Sequence, residues 1–352
     1  MNRWLVTGAQ GFVGRYTAAH VLRSDPSARV LGIGRSVSRP GSFSHTVSSP
    51  GGGHMQAPLP AWLEEDFDQR FVYRSIDVAS EHEVCSVIDD FRPDFILHLA
   101  SGLRDDPRAH LFRTNVEGTA ALLEAVAKSP ACRPKIVIGS SGGVYGNVAS
   151  DRLPLKEGEA CEPLDCYCVS KLSSELLARI IAGQHKLNLV IARIFNIIGA
   201  GQDERHLAGY LAAQLNCSAA DYQTSSIDLK PAVRLRLGSL ESTRDFIDVR
   251  DVAAALVLLT EKQTEHVIYN VGSGIERPSS DIVQAVIQTS GLPVSVERRT
   301  DYNPGLARHY ADISRLRQLG FEPAHSLSSS VHSVWSYYRQ LSATPALCTC
   351  GP

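Results

Sequence analysis

Through the first half of the chain, short apolar runs alternate with longer stretches whose apolar positions recur at helical spacing. Apolar runs bounded by turn residues and separated by helices predict parallel strands buried on both faces. The runs fall at 4–6 (WLV), 29–33 (RVLGI), 71–76 (FVYRSI), 94–99 (DFILHL) and 135–139 (KIVIG). Helical stretches start near residue 12 and cover 111–128 and 165–183. The alternation predicts an α/β protein with a doubly wound parallel sheet and helices on both faces. The last third mixes helices with short strands at 233–237 and 267–271, which predicts a smaller, interleaved α/β lobe. The expected division is 1–195 for the sheet, with segments near 240–272 returning to it, and 196–340 mainly for the lobe. Residues 343–352, ATPALCTCGP, read as a flexible tail.

Composition narrows the partners. The chain has 352 residues, 43% hydrophobic, with a net charge of −2. No lysine/arginine block stands out, which argues against nucleic acid. No apolar run reaches the ~18–20 residues of a membrane span. The first strand begins almost at once, leaving no room for a signal peptide, so a cytoplasmic protein is expected. Eight cysteines include no CxxC pair; reduced thiols and no metal site are expected.

The turn after the first strand, LVTGAQGFVGRY, carries glycines at Gly8, Gly11 and Gly14. Between strand and helix, the first permits the tight turn, the second lets backbone N–H groups approach a pyrophosphate, and the third brings helix to sheet. Gln10, Phe12 and Val13 lie within the same turn and complete the expected Rossmann-type dinucleotide cradle. The second strand ends in Gly34-Arg35-Ser36, where an NAD-preferring fold places an acid on the ribose hydroxyls. Arg35 and Ser36 suit a 2′-phosphate instead, so NADP(H) is favoured over NAD(H). Residues 36–60 are rich in Ser, Gly and Pro and show no periodicity. They read as a long flexible loop, either folded over the adenosine end of the cofactor or disordered. Asp77 and Val78, after the third strand, are placed to meet the adenine. Leu99, Ala100 and Ser101, at the end of the fourth, pass close to the nicotinamide ribose. His98, within an apolar strand, reads as a satisfied core histidine. Asn115, inside a helix, is expected to brace the neighbouring strand ends at the cofactor.

The fifth strand runs into Ser140-Ser141-Gly142-Gly143. The following helix holds Tyr167 and Lys171, four apart and therefore on one face. A tyrosine of reference pKa ~10 is a poor acid or base at neutral pH. A nearby ammonium and an oxidised nicotinamide favour its phenolate. With a strand-end serine to hold the substrate oxygen, Ser141, Tyr167 and Lys171 form a proton-transfer set for alcohol/ketone interconversion.

With these residues, the chain resembles the extended short-chain dehydrogenase/reductases of the NAD-dependent epimerase/dehydratase type, which act on nucleotide-diphosphate sugars. The resemblance rests on TGAQGFVG, IDV, HLAS, NVEGT, SSGGVYG, YCVSK, RIFNIIGAGQ, RDFIDVRDVA, YNVGSG and YADISRLRQLGFEP. VRLRLGSLESTRDFIDVRDV and RIFNIIGAGQ are most similar to the GDP-4-keto-6-deoxy-mannose reductases and their dehydratase relatives. The resemblance implies that Ser141, Gly142 and Tyr167 line the sugar keto group and that Tyr167 and Lys171 reach the nicotinamide ribose. It implies Ile194 at the cofactor, Asn196 near the substrate phosphates, and Arg244 in nucleotide-sugar binding. Pairing through the helix of Tyr167 and the one before it implies a homodimer.

Departures from the family pattern shape the expected reaction. Where 4,6-dehydratases carry an Asp and a Glu after the serine, this chain has Gly142 and Gly143, which move no proton. The expected activity is an NADPH-dependent 4-ketoreductase acting on a nucleotide-diphosphate 4-keto-6-deoxyhexose, with a nucleotide-sugar epimerase as the alternative. Cys166 and Cys168 flank Tyr167 where the family has Pro and Gly; the thiol either serves as a second proton donor or only reshapes the pocket. The family's RPGD-like arginine is replaced around 303–306, so Arg299 or Arg308 is left to meet phosphate charge.

Overall fold

The computed structural model describes residues 1–49, 53–224, 232–238, 240–299 and 307–343. In chain order, β1 (Arg3–Thr7) leads to α1 (Phe12–Ser24), β2 (Arg29–Gly34), β3 (Ser42–Ser48), β4 (His54–Pro58) and α2 (Ala61–Glu64). Then come β5 (Phe71–Ser75), α3 (Glu81–Phe91), β6 (Phe95–His98), α4 (Arg108–Phe112), α5 (Gly118–Lys128) and β7 (Lys135–Ser141). The second half holds α6 (Cys166–His185), β8 (Asn188–Ile194), β9 (Asn196–Ile198), α7 (Leu207–Thr224), β10 (Val233–Leu237) and β11 (Thr243–Asp248). It closes with α8 (Val249–Glu261), β12 (Ile268–Val271), β13 (Glu276–Pro278), α9 (Ser279–Ser290), β14 (Val294–Arg298), β15 (Arg308–His309), α10 (Ser314–Gln318) and α11 (Leu327–Ala343).

Seven strands make one wholly parallel sheet in the order β12-β8-β7-β6-β1-β2-β5. Successive strand residues face opposite sides. Leu5, Leu31, Ile96 and Ile136 pack on α3, α5 and α6, while Val6, Val30, Leu97 and Val137 pack on α1 and α8. The winding reverses at β1, so the crevice beyond the ends of β1 and β6 is the switch point where such sheets bind ligands. The second lobe packs α7, α9 and α11 with the β10–β14 pair around Leu211, Leu235, Val283 and Val334. A small sheet centred on β11, paired with β9, β13 and β15, lies between this lobe and the end of the main sheet.

Segment 36–60 corrects the sequence expectation. It contains an antiparallel hairpin, β3 with β4, rather than a structureless loop. Phe43, Val47, Ala57 and Leu59 are buried in it. Alternation at Phe43, His45 and Val47 drives the strand, but the Ser/Gly/Pro composition around it hides that period. The Phe43 ring lies 6.0 Å from that of Phe12 and 6.4 Å from that of Tyr16. Ser48 gives its backbone N–H and hydroxyl to the Glu204 carboxylate at 2.5 and 2.6 Å, and Tyr337 donates to the Pro58 carbonyl at 3.0 Å. The hairpin therefore ties α1 to the second lobe. Gly201 accommodates it: at φ +83° it needs no side chain, and a Cβ there would stand 2.3 Å from the Phe43 ring.

The helix expected over 111–128 is interrupted by a π-helical turn, Arg113–Glu117, centred on Asn115. The tail residues 344–352, with Cys348 and Cys350, and the stretch 303–306 lie outside the described residues. Among the described residues, no helix is long and apolar enough to cross a membrane.

Candidate active site

The crevice is pinned by Thr7. Its hydroxyl accepts the N–H groups of Leu99 and Ala100 at 3.1 and 3.0 Å and bonds His98 Nδ1 at 2.8 Å. His98 also meets Thr119 at 3.0 Å, and burial pushes its pKa down to about 3, so it is a neutral core histidine. Gly8 has φ +66°, and a Cβ there would stand 2.7 Å from the Ala100 nitrogen. A Cβ on Gly14 would stand 2.2 Å from the Gly8 carbonyl, which instead accepts the Gly11 N–H at 2.9 Å. Gly11 caps α1 without a side chain, so the free N–H groups of the first turn, beginning at Phe12 and Val13, stay open to an anion. This side-chain-free cradle at a helix N-terminus fits a dinucleotide pyrophosphate. The Phe12 ring itself turns away onto Tyr16 and Phe43.

At the adenosine end, Arg35 is exposed and its guanidinium meets both ring nitrogens of His110 on α4, at 3.3 and 2.7 Å. Ser36 Oγ accepts from Gln10 Nε2 at 3.2 Å. Gln10 is buried, and its amide also holds the Val37 carbonyl and the Arg39 N–H. Asp77 forms an ion pair with Arg113 at 2.7 Å and takes the Ala79 N–H at 3.1 Å. Val78 packs over Gly118, where a Cβ would come within 2.8 Å of it.

The reacting end is built on β7 and α6. Asp165 caps α6 by accepting the Cys168 N–H at 2.8 Å. Lys171 is 6% exposed and donates to the Gly139 carbonyl at 2.8 Å. Ser141 accepts the Gly143 N–H at 3.1 Å, and Ile194 stands in register beside it on β8. Asn115 is spent within the protein: Oδ1 accepts from Ser101 Oγ and the Gly102 N–H at 3.1 and 2.8 Å, and Nδ2 donates to Ser170 at 2.8 Å. It braces the end of β6 against α6, which accounts for the π-turn that carries it.

Burial pushes the Tyr167 pKa up to about 12; Cys168 and Asp165 add to this, and Arg104 and Ser101 oppose it. The expected lowering by Lys171 therefore does not govern this state. Desolvation wins, and the ammonium is engaged by Gly139. Burial pushes Lys171 down to about 8, against the carboxylate of Glu175. Arg104, which sequence reasoning missed, reaches from the loop after β6 to ion-pair with Asp165. Its guanidinium lies 5.4 Å from the Tyr167 ring centroid and 3.7 Å from Cys168 Sγ. A loop arginine followed by two aspartates gave no signal of this.

The two glycines after Ser141 face occupied space. A Cβ on Gly142 would stand 3.0 Å from the Phe195 ring, and one on Gly143 2.7 Å from Cys168 Sγ. Burial pushes the Cys168 pKa up to about 12, so this wall carries a neutral thiol. His309, from β15, donates Nε2–H to the Gly142 carbonyl at 3.1 Å. Its pKa is pushed down to about 4 by burial, with Arg244 adding to the effect.

The expected substrate residues come together only in part. Arg244 stands in register with His309, and its Nη1 donates to the Thr243 carbonyl at 2.7 Å. Arg308 is held by both oxygens of Glu276 at 2.6 Å. Asn196 spends its amide on the Asp245 carbonyl at 3.0 Å.

Comparison with known proteins agrees with this architecture. The profile described as the NAD dependent epimerase/dehydratase family matches residues 4–272. The dTDP-6-deoxy-L-talose 4-dehydrogenase (NAD(P)(+)) of Kitasatospora kifunensis is 26% identical over 341 residues, 95% of each chain. The GDP-6-deoxy-D-mannose reductase of Pseudomonas aeruginosa is 30% identical over 258 residues, 69% of this chain and 80% of that one. The solved structure of RMD from Pseudomonas aeruginosa complexed with NADPH superposes with a TM-score of 0.74 at 24% identity, covering 96% of this chain and 100% of that one.

Proposed function

The chain belongs to the NAD dependent epimerase/dehydratase family, and from that premise we propose that it reduces the 4-keto group of a nucleotide-diphosphate-linked 6-deoxyhexose with NADPH. The observation that carries this reading is the wall after Ser141. Elimination of water needs an acid and a base there, and the space belonging to Gly142 and Gly143 is filled by Phe195 and the neutral Cys168 thiol. Redox at a single carbon remains. Curated relatives named as a 6-deoxytalose dehydrogenase and a 6-deoxymannose reductase support the sugar class.

When bound, the reduced nicotinamide supplies the hydride. Ser141, whose oxygen already accepts the Gly143 N–H, gives its own O–H to the keto oxygen. Tyr167 keeps its proton up to about pH 12 and is a general acid ready to donate to the developing alkoxide. Lys171 supplies the positive charge that steadies the phenolate left behind. Arg35 and Ser36 support NADPH over NADH. Val169, Leu176 and Ile180 form an exposed apolar stripe on α6, which supports a homodimer paired through that helix.

The test is identification of nicotinamide in the purified protein, followed by turnover on a panel of nucleotide-linked 4-keto-6-deoxy sugars. An empty site, tighter NADPH than NADH binding and stoichiometric NADPH consumption are expected. Retained NAD⁺ with sugar interconversion and no net consumption would replace this reading with an epimerase.

A further inference from the structure

Beside the adenosine end of the crevice lies a cavity of about 210 Å3, lined by Gln10, Arg15, Ser38, Phe67, Phe71 and Tyr73. Arg15 is only 2% exposed. Its Nη2 donates to the Arg39 carbonyl, to the Ser42 carbonyl at 2.9 Å and to Gln10 Oε1 at 3.3 Å. The guanidinium lies 5.0 Å from the Phe67 ring centroid and 5.8 Å from that of Phe71. Its Nε is buried with no hydrogen-bond partner. Among the described residues no carboxylate closes an ion pair with it; Glu64 and Tyr73 act on it only from a distance. Burial pushes its pKa down to about 10, so it still carries its charge at neutral pH.

A guanidinium taken out of water with no ion-pair partner among the described residues and its Nε–H unspent is costly to keep. The neighbourhood indicates what would complete it. Ser36 bonds two residues that line this cavity. It accepts from Gln10 Nε2 at 3.2 Å and, through its carbonyl, from the Tyr73 hydroxyl at 2.8 Å, and it directly follows Arg35. Arg15 is therefore two hydrogen bonds from Ser36, through Gln10. Asp68 also lines the cavity, and its carboxylate is taken up by Arg70 at 2.9 Å.

We propose that this cavity is the 2′-phosphate subsite of NADP(H), with Arg15 as its buried counter-cation, Ser36 and Ser38 as neutral donors, Gln10 as the residue that positions Arg15 and Ser36, and Arg35 as the cation on the outer side. The proposal rests on the NADPH reading above and adds to it a residue that no strand-end motif reveals. Buried Arg15 sets the preference between the two nicotinamide cofactors, because only the phosphorylated one meets its charge.

The test is direct titration of the purified full chain with NADPH and with NADH, followed by nicotinamide fluorescence, for the wild type, Arg15→Met and Ser38→Glu. Ser38 is exposed in a loop, so its variant keeps the fold if Arg15→Met does not, and thermal melts report on both. Each variant is expected to weaken NADPH binding about tenfold or more, with NADH changed by less than about twofold. Both affinities moving together, or the NADPH preference surviving both substitutions, would overturn the subsite. A wild type without any NADPH preference would overturn the subsite and the cofactor reading together. Competition separates the sources of phosphate: 2′-AMP is expected to displace NADPH well ahead of inorganic phosphate. Equal displacement by free phosphate would mark an anion site unrelated to the cofactor and overturn the assignment.

Discussion

Two arginines, both almost fully buried, stand at opposite ends of the crevice and could hardly be treated more differently. Arg193, on β8, stands in register with Ser140, the residue before Ser141. It meets the Glu175 carboxylate through Nε at 3.1 Å and Nη2 at 2.7 Å, and its guanidinium sits 4.7 Å from the Tyr145 ring centroid. Burial opposes its charge, but the hydrogen bonds and charge of Glu175 outweigh burial and raise its pKa. Ser140 donates to the same carboxylate, so the pair also holds the strand that ends in the expected catalytic serine. Arg15, at the adenosine end, has carbonyl partners but, among the described residues, no acid paired with it, and its pKa falls. The Arg193–Glu175 pair that backs the reacting end is thus closed on itself before any ligand arrives, while Lys171 beside it has a carbonyl partner. The adenosine end keeps an open positive charge that a ligand can complete.

Tyr167→Phe tests whether the two ends act separately, and it has the largest expected effect. Loss of the general acid should lower kcat by roughly 10^3-fold. The NADPH affinity and its ratio to the NADH affinity should stay where they were, since that ratio is set at the other end. Steady-state rates and cofactor titration on the same preparation check both. A shifted ratio would mean that the ends are coupled.

Arg193→Met sharpens the contrast between the two guanidinium groups. It leaves the Glu175 carboxylate, 1% exposed, without its counter-charge, and should cost about 3–5 kcal/mol in denaturant unfolding. Adding Glu175→Gln should recover part of that loss. Arg15→Met strands no carboxylate and should cost less. Equal losses would remove the distinction on which the contrast rests.

The parts of the molecule legible in the sequence are those where one local signal serves one structure. Five early strands, the glycine turn and the Tyr167–Lys171 helix each carry a period or spacing that tertiary packing does not overrule. The hairpin at 42–58 was missed because its alternation is short and lies within turn-forming residues. Phe43 finds its partners, Phe12 and Tyr16 on α1, only once the chain is folded. Asn115 was legible as a brace because an asparagine inside a helix needs a use for its amide. Arg15, Arg104 and His110 were not. Each acts through contacts with segments distant in sequence, and a lone arginine or histidine in a helix or loop has no spacing to read. Without cofactor, burial outweighs the lowering expected for Tyr167, because spacing shows which charges are near but not how much water is lost.

The smallest predicted effect separates the two ends by pH alone. Lys171 has its pKa pushed down to about 8 by burial, so its cationic form dominates below that pH and is lost above it. In the proposed reduction, the proton donated by Tyr167 leaves a phenolate that needs this cation. Turnover in the reductive direction should therefore be flat below about pH 7 and fall about tenfold between pH 7 and 9. Tyr167 does not cause the fall, because its own proton is held to about pH 12. Arg15, with its pKa at about 10, is still charged across that interval, so the NADPH preference should persist while turnover declines. Lys171→Arg supplies a cation that does not titrate in this range, and any activity it retains should lose the alkaline limb. Measuring kcat/KM and both cofactor affinities from about pH 6.5 to 9.5 decides the matter. If turnover and NADPH preference decline together, one group serves both ends, and the division between a closed reacting end and an open adenosine end does not hold.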